Sequence, residues 1–170
     1  MADSIKNLVR AYELPLEDAA QIRHPLNPNS EVYVQRLSDR VGMKRAQLSL
    51  ARVPPGKESF VPHGHLIQEE FLFILDGHGL AQIGGQDVAV GPGDYLGFPT
   101  DGTTHHLINI GETDLVYLMG GERSQVEVSH FSTLGKFAVM IGDRVNLFDE
   151  KDATELHARA WLAEPPRERR

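Results

Sequence analysis

The sequence predicts an all-β domain that is rolled into a sandwich or a closed barrel. From Val32 onward, short apolar runs alternate with turn signals every several residues, which is typical of such folds. Glycine (16 residues) and proline (10 residues) are concentrated in the middle of the chain, where these turns are needed. The length of 170 residues fits one domain with a short extension at each end.

The N-terminal extension is predicted over residues 1–30. Apolar residues recur at roughly helical spacing within residues 4–22, namely Ile5, Leu8, Val9 and Tyr12. Pro15 limits the length of any single helix there. Residues 24–30 contain two prolines and two asparagines, so this segment is interpreted as a loop that leads into the first strand of the barrel.

The barrel domain is predicted over residues 31–150. Its clearest apolar runs predict strands at residues 32–37, 45–53, 60–62, 70–75, 79–83, 86–90, 94–98, 105–110 and 114–119. Gly84 and Gly85 stand between two of these runs and predict a tight hairpin. Between residues 122 and 150, the runs VEVSHF, FAVMI and VNLF also have the composition of strands.

The C-terminal extension is predicted over residues 151–170. Residues 152–163 form the best helix candidate of the chain, with Asp152 as a possible N-cap. The final run EPPRERR has the composition of a frayed tail. The chain contains no internal repeat and no interdomain linker, so the sequence predicts a single domain.

The composition excludes several function classes. The formal net charge is −7, and the one basic cluster lies at the extreme end, so no nucleic-acid partner is expected. No apolar run approaches membrane-spanning length and the start has no export signature, which predicts a cytoplasmic protein without a membrane partner. Because there is no cysteine, any metal ligand must be a nitrogen or an oxygen.

Histidines are the most informative residues of the chain. There are eight, and five of them lie between residues 63 and 106. His63 and His65 are two residues apart, so on a strand both project to the same face. Neutral imidazole is the commonest metal ligand in proteins, and two imidazoles on one face supply two adjacent positions of a coordination shell.

Strand parity adds two further candidate ligands. Glu70 opens the apolar run FLFIL, and on an alternating strand it faces inward together with Leu72, whereas Glu69 faces outward. The run HHLINI gives His105 in the same way, and His106 then faces away from the interior. A bulge of one residue in either strand would reverse this assignment.

Three imidazoles and one carboxylate predict a site for one divalent transition metal per chain. Such a donor set suits Fe(II), Mn(II), Ni(II), Zn(II) or Cu(II), whereas calcium and magnesium prefer more oxygen ligands. A six-coordinate ion would keep two positions open for water, substrate or dioxygen. The other histidines are interpreted as ordinary polar surface residues: His24, His78, His106, His130 and His157.

Two stretches of the chain resemble the two signatures of the cupin superfamily. The first runs from Gly56 to Gly77 and contains HGH, a gap of four residues, Glu70 and six further residues before the last glycine. Its first spacer holds six residues, one more than is usual in the family. The second, GDYLGFPTDGTTHHLIN, runs from Gly93 to Asn109 and has one extra residue in the turn PTDG.

The resemblance covers roughly residues 40–120 and implies a double-stranded β-helix, a jelly-roll barrel with the metal inside one end. It implies that the ligand roles fall to His63, His65, Glu70 and His105. It also suggests homodimers, because an open barrel has unpaired edge strands that a second subunit can cover.

The function that the resemblance implies is a metal-dependent enzyme acting on a small organic molecule. Two reaction types are open: an oxygenase, which is an oxidoreductase, and an isomerase or lyase in which the metal is a Lewis acid. The alternative is a non-catalytic cupin that binds or senses a small molecule. Gln47, Tyr95 and Tyr117 each lie in a predicted strand and are the candidate substrate contacts.

Overall fold

The computed structural model describes residues 5–154 and 156 of the chain. Within this part the ordered elements are mainly thirteen strands: β1 (Ala20–Ile22), β2 (Val32–Arg36), β3 (Ala46–Val53), β4 (Gly64–His65), β5 (Glu70–Asp76), β6 (Gly79–Ile83), β7 (Gln86–Val90), β8 (Tyr95–Phe98), β9 (His105–Ile108), β10 (Leu115–Glu122), β11 (Val126–Phe131), β12 (Lys136–Ile141) and β13 (Arg144–Asp149). The helices are short: α1 (Leu37–Arg40) and the 3-10 helices Ala11–Glu13, Leu16–Asp18, Ser132–Leu134 and Glu150–Asp152. None of the helices in this described part has the length and apolar character needed to cross a bilayer.

Most predicted strands are confirmed close to their expected bounds, including β11, β12 and β13 in the C-terminal part of the domain. The exception is residues 60–62, which form no strand of their own. They lie in a segment that pairs through single bridges, Glu58 with Ile108 and His63 with His105. The hairpin predicted at Gly84 and Gly85 joins β6 to β7, and both glycines have positive φ, as a tight turn requires.

The N-terminal region is less helical than its apolar spacing predicts. Of the predicted helical stretch 4–22, the described residues 5–22 hold two 3-10 helices of three residues each, followed by β1. Pro15 separates the two helices, and Leu14 before it is extended because a proline disfavours helical geometry in the preceding residue. The helix predicted over 152–163 lies largely outside the described residues. The domain bounds 1–30, 31–150 and 151–170 remain predictions.

One layer of the domain is a six-stranded sheet in the order β1-β2-β3-β10-β5-β8. All of its strand pairs are antiparallel. β10 lies at its centre and pairs along its whole length with β3, from Leu115 opposite Val53 to Glu122 opposite Ala46. Strands that are far apart in the chain are thus neighbours in the sheet, as in jelly-roll folds.

The other layer consists of a three-stranded sheet, β7-β6-β9, and a four-stranded sheet, β13-β12-β11-β4. The chain between Glu58 and His65 connects them, because His63 pairs with β9 and the two residues of β4 pair with β11. This connection brings the first histidine pair of the chain beside His105 at the start of β9.

The core lies between the two layers and is formed by side chains that alternate along the strands. The largest fully buried apolar residues come from both layers: Val32, Val53, Ile74, Leu107, Leu115 and Tyr117. Leu72 and Ile74 of β5 are buried, which confirms the inward parity that assigned Glu70 to the interior. The all-β jelly-roll prediction is confirmed by this arrangement.

Candidate metal centre

The four predicted ligand residues converge at one point inside the barrel. One ligand atom from each of His63, His65, Glu70 and His105 lies within 4.8 Å of all the others. The ring centroid of His63 is 4.9 Å from that of His65 and 4.8 Å from that of His105. Three separate stretches of the chain therefore place their donors around a space of the size that one ion occupies.

Backbone pairing explains why the histidines meet. His105 donates its N–H to the carbonyl oxygen of His63 at 2.8 Å, and His63 donates back at 3.2 Å. Gly64 lies between His63 and His65 in the chain, and a Cβ at this position would stand 2.1 Å from the carbonyl oxygen of Gly102. Only glycine permits this close approach, so packing requires a glycine between the two histidines of the HGH motif.

Glu70 is the electrostatic centre of the cluster. Its Oε2 lies 3.0 Å from Nε2 of His65 and 3.0 Å from Nε2 of His105. Burial alone would raise the pKa of this carboxyl, but hydrogen bonds from the two rings outweigh it and hold the pKa well below its usual range. Glu70 is therefore ionised at neutral pH, the state in which a carboxylate binds a metal.

The second nitrogen of each ring faces a different acceptor. Nδ1 of His63 donates to the carbonyl oxygen of Val61 at 2.8 Å, and Nδ1 of His105 faces the carbonyl oxygen of Thr103 at 3.4 Å. These contacts turn Nε2 of both rings toward the cluster, where each can bind a metal. Nδ1 of His65 has no partner in hydrogen-bond geometry among the described residues, but a carboxylate oxygen of Glu127 lies 3.5 Å from it.

The ionisation of the rings also fits a metal site. Burial, followed by the charge of His105, lowers the pKa of His63 to about 3, so this ring is neutral at physiological pH. For His65, burial acts in the same direction, but hydrogen bonding to Glu70 and its charge raise the pKa above the ordinary value. The raised pKa reflects the negative charge beside this ring, which would also favour a metal cation at the same place. The residues present fit a divalent transition metal.

Aromatic side chains hold the histidine rings from outside. The ring of Phe98 stacks on His105 with centroids 3.6 Å apart and planes 5° apart. Phe60 and Phe131 each approach His63 edge-on, with centroids 6.2 Å away. These apolar walls restrict ring rotation and limit the access of water to the cluster.

A cavity of about 710 Å³ is lined by Glu70, the one cluster residue it touches, and by outward-facing residues such as Phe71. Two predicted substrate contacts, Gln47 and Tyr95, line it. Tyr95 alternates with the buried Leu96, is 65% exposed, and stacks on Phe71 outside the core, so it does not project into the barrel. The role of both residues in binding a substrate remains a prediction.

The third predicted contact, Tyr117, projects inward from β10 and is fully buried. Its hydroxyl group has no hydrogen-bond partner among the described residues. Burial, with a smaller effect of the charge on Glu70, raises its pKa above the ordinary value. The hydroxyl is therefore a neutral donor that faces the interior, and its contact with a substrate remains a prediction.

Two residues near the cluster were not identified from the sequence. Glu127 of β11 is buried and provides the carboxylate beside His65. His106 faces away from His105, as predicted, yet it is buried rather than on the surface, and Glu58 lies beside it. Strand parity within VEVSHF could have indicated Glu127, since it has the parity of the buried Phe131.

The remaining histidines do not join the metal cluster. His24 packs edge-on against Phe131, His78 is exposed, and His130 stacks on Phe137. His157 lies outside the described residues.

Comparisons with known proteins agree with this geometry. A family model described as "Cupin domain" matches residues 49–121. The "Oxalate-binding protein" of Thermotoga maritima is 31% identical over 120 residues, which cover 69% of this chain and 95% of that protein. The chain belongs to the cupin superfamily.

Two solved structures are similar to this cupin over most of their own length. It is similar to a structure from Acidithiobacillus ferrooxidans described as "Putative sugar phosphate isomerase", with 30% identity and a TM-score of 0.85. That similarity covers 89% of this chain and 97% of the other. A "predicted oxalate decarboxylase" from Thermotoga maritima has 26% identity and a TM-score of 0.58, over 69% of this chain and 99% of that one.

Proposed function

We propose that this cupin is a metal-dependent enzyme that acts on a small organic molecule. One divalent transition metal (Fe, Mn, Ni, Zn or Cu) would be held by His63, His65, Glu70 and His105. The observation that carries the proposal is the convergence of these four donors within 4.8 Å, together with a separate acceptor behind each imidazole ring. Such outer acceptors are typical of histidines that bind metals.

The chain's own residues would prepare a substrate for reaction at this centre. A bound divalent ion supplies Lewis acidity, which polarises a carbonyl or hydroxyl oxygen of the substrate. Tyr117 would donate a hydrogen bond from its neutral hydroxyl, which has no partner among the described residues. Phe98 and Phe131 would keep the reacting atoms in an apolar environment.

Between the two reaction types, we propose the isomerase or lyase type. The similarity to the Acidithiobacillus protein supports it, because that similarity spans nearly the whole of both chains.

The alternative is a cupin that binds its small molecule without converting it. It is favoured by the relative from Thermotoga maritima that is described as an oxalate-binding protein. In this case the metal would anchor an oxygen-rich ligand, and no bond would change.

We also propose that the protein is a cytoplasmic homodimer. β13 is an edge strand of its sheet, and several of its apolar side chains are exposed: Val145, Leu147 and Phe148. Long exposed edges of this kind are places where a second copy can add its own strands. Light scattering after size-exclusion chromatography would test this, and a monomer at all concentrations would contradict it.

Metal loading followed by turnover assays tests the proposed function. Chelator-treated protein would be loaded with each candidate metal in turn, and bound metal would be counted by elemental analysis. We expect one ion per chain. The loaded protein would then be given a panel of hydroxy-ketones, hydroxy-aldehydes and dicarboxylates, with NMR to follow products and an electrode to follow oxygen.

Each outcome of this experiment bears on the proposal. Conversion of a substrate without consumption of oxygen would support the isomerase or lyase type, whereas oxygen uptake would support the oxygenase. A ligand that raises the melting temperature but is never converted would support the binding alternative. Failure of every metal to bind would contradict the proposal as a whole.

A further inference from the structure

A carboxylate outside the family signatures lies against the metal cluster. Glu127 belongs to β11, whereas the cupin family model ends at residue 121. Its side chain is only 4% exposed. Oε1 of Glu127 lies 3.5 Å from Nδ1 of His65, on the side of the ring opposite the nitrogen that faces Glu70.

Backbone groups fix the position of this carboxylate. Glu127 accepts hydrogen bonds from the N–H of Leu66 at 3.3 Å and from the N–H of Gln68 at 2.8 Å. The pairing of β11 with β4 adds to this, since Ser129 stands opposite His65 in the register. The carboxylate is therefore held in place by the same short segment whose histidine it contacts.

We infer that Glu127 is a positioning residue for the metal centre: it orients the His65 ring and strengthens its Nε2 as a donor. The inference rests on the proposed function, because it requires a metal at the cluster. The C-terminal strands β11, β12 and β13, which contribute none of the four ligands, would thus complete the site from outside.

The contrast among the three rings supports this role. Nδ1 of His63 and Nδ1 of His105 face neutral carbonyl oxygens, whereas Nδ1 of His65 faces a charged carboxylate. A carboxylate behind an imidazole fixes the tautomer and raises the basicity of the opposite nitrogen more than a carbonyl does. Of the three bonds to the metal, the one from His65 should depend most on its outer partner.

The variant Glu127→Gln tests the inference because it keeps the size and one acceptor oxygen but removes the charge. Full-length apoprotein would be titrated with cobalt(II), and its visible absorption would report both affinity and the geometry of the ligands. We expect the affinity to fall about 10- to 100-fold, the range found when outer partners of metal ligands are removed. We also expect the absorption bands to shift even when the variant is saturated with cobalt.

Glu58→Gln is the matched control. Glu58 is a carboxylate beside His106, which is not a ligand, and it also accepts hydrogen bonds from neighbouring residues. We expect this variant to keep both the affinity and the spectrum of the wild type. A purely structural role of Glu127 would lower the melting temperature of the apoprotein and leave the saturated spectrum unchanged.

The outcomes separate this inference from the proposed function. If the wild type binds no cobalt, the proposed function fails. If the wild type binds cobalt and Glu127→Gln has the same affinity and spectrum, only the inference about Glu127 fails. If the variant does not fold, NMR of the zinc-loaded wild type decides the question. A slowly exchanging proton on Nδ1 of His65 would support the inference, and its absence would overturn it.

Discussion

Two adjacent histidines of β9 have opposite surroundings. His105 and His106 are both buried, at 3% and 5% exposure, and each lies near a glutamate. His105 faces the interior, where two more imidazole rings and Glu70 meet it. His106 faces the other way, toward Glu58, with 3.7 Å between Nε2 and Oε2, and its Nδ1 has no partner among the described residues.

The difference shows that a buried histidine beside a carboxylate does not by itself indicate a metal site. Glu58 is already satisfied by the side-chain amides of Asn27 and Asn29, at 2.7 and 3.1 Å. Burial lowers the pKa of His106, so the ring is neutral at physiological pH. The hydrogen bonds of Asn27 and Asn29 to Glu58, called the clasp below, therefore fasten the N-terminal segment to the barrel. The groups around His105 instead bring four donors to one point.

The largest expected effect is on metal affinity, when each of the two histidines of β9 is replaced by alanine in turn. His105→Ala removes a ligand, and we expect metal affinity to fall more than about 100-fold, since even outer partners contribute about 10- to 100-fold. His106→Ala should leave the metal content of the folded protein unchanged. Elemental analysis after dialysis measures both variants, and equal loss of metal in the two would contradict the comparison.

The second-largest expected effect is on the free energy of unfolding and concerns Asn109, which follows β9 and faces inward. Asn109 is buried, donates to the carbonyl oxygens of Val53 and Thr113, and accepts from the N–H of Gly111. Asn109→Ala removes three hydrogen bonds and leaves the carbonyl oxygen of the buried Val53 without its partner, so we expect the free energy of unfolding to fall by about 3 kcal/mol. Urea denaturation measures this. An unchanged midpoint would show that these bonds are replaced at no cost.

A smaller effect is expected in the clasp. Asn27→Ala removes hydrogen bonds to Glu58 and to the carbonyl oxygen of Phe60, so we expect a loss of about 1–2 kcal/mol without a change in metal affinity. Thermal and urea unfolding of the apoprotein would measure it. A loss of metal affinity in this variant would mean that the clasp and the metal centre are coupled.

The clasp also predicts a dependence on pH. Burial would raise the pKa of Glu58, but hydrogen bonds from Asn29 and Asn27 outweigh it and hold the pKa below the ordinary value. A carboxyl with a lowered pKa in the folded state stabilises the protein above its unfolded pKa, and this stabilisation is lost as the pH falls through the folded value. Glu58→Gln should therefore flatten the loss of stability in acid. Equal slopes for variant and wild type would contradict this.

The comparison of His105 with His106 also explains which features could be predicted from the sequence. Period-two alternation is a local property, so it assigned His63, His65, Glu70 and His105 to one interior without knowledge of the sheet order. The contact of His106 with Glu58 depends on the bridge between Glu58 and Ile108, which no local pattern in the sequence predicts.

Other differences from the sequence prediction have the same origin. Glu127 was missed because its contact with His65 depends on the pairing of β11 with β4 across more than sixty residues. The helical spacing of residues 4–22 was overridden by Pro15 and by the pairing of β1 with β2. Tyr95 lies on the outer side because it alternates with Leu96, which could have been predicted had parity been applied to β8.

The smallest expected effect concerns an unpartnered group on the inward side of the barrel. The hydroxyl of Tyr117, like Nδ1 of His106, is buried without a partner among the described residues. Tyr117→Phe removes a group that makes no bond in the protein, so we expect the free energy of unfolding of the apoprotein to change by less than about 1 kcal/mol. Urea denaturation would measure this change. A loss of about 2 kcal/mol would instead mean that the hydroxyl bonds to an internal water, and its proposed role as a donor to substrate would then require that water to be displaced.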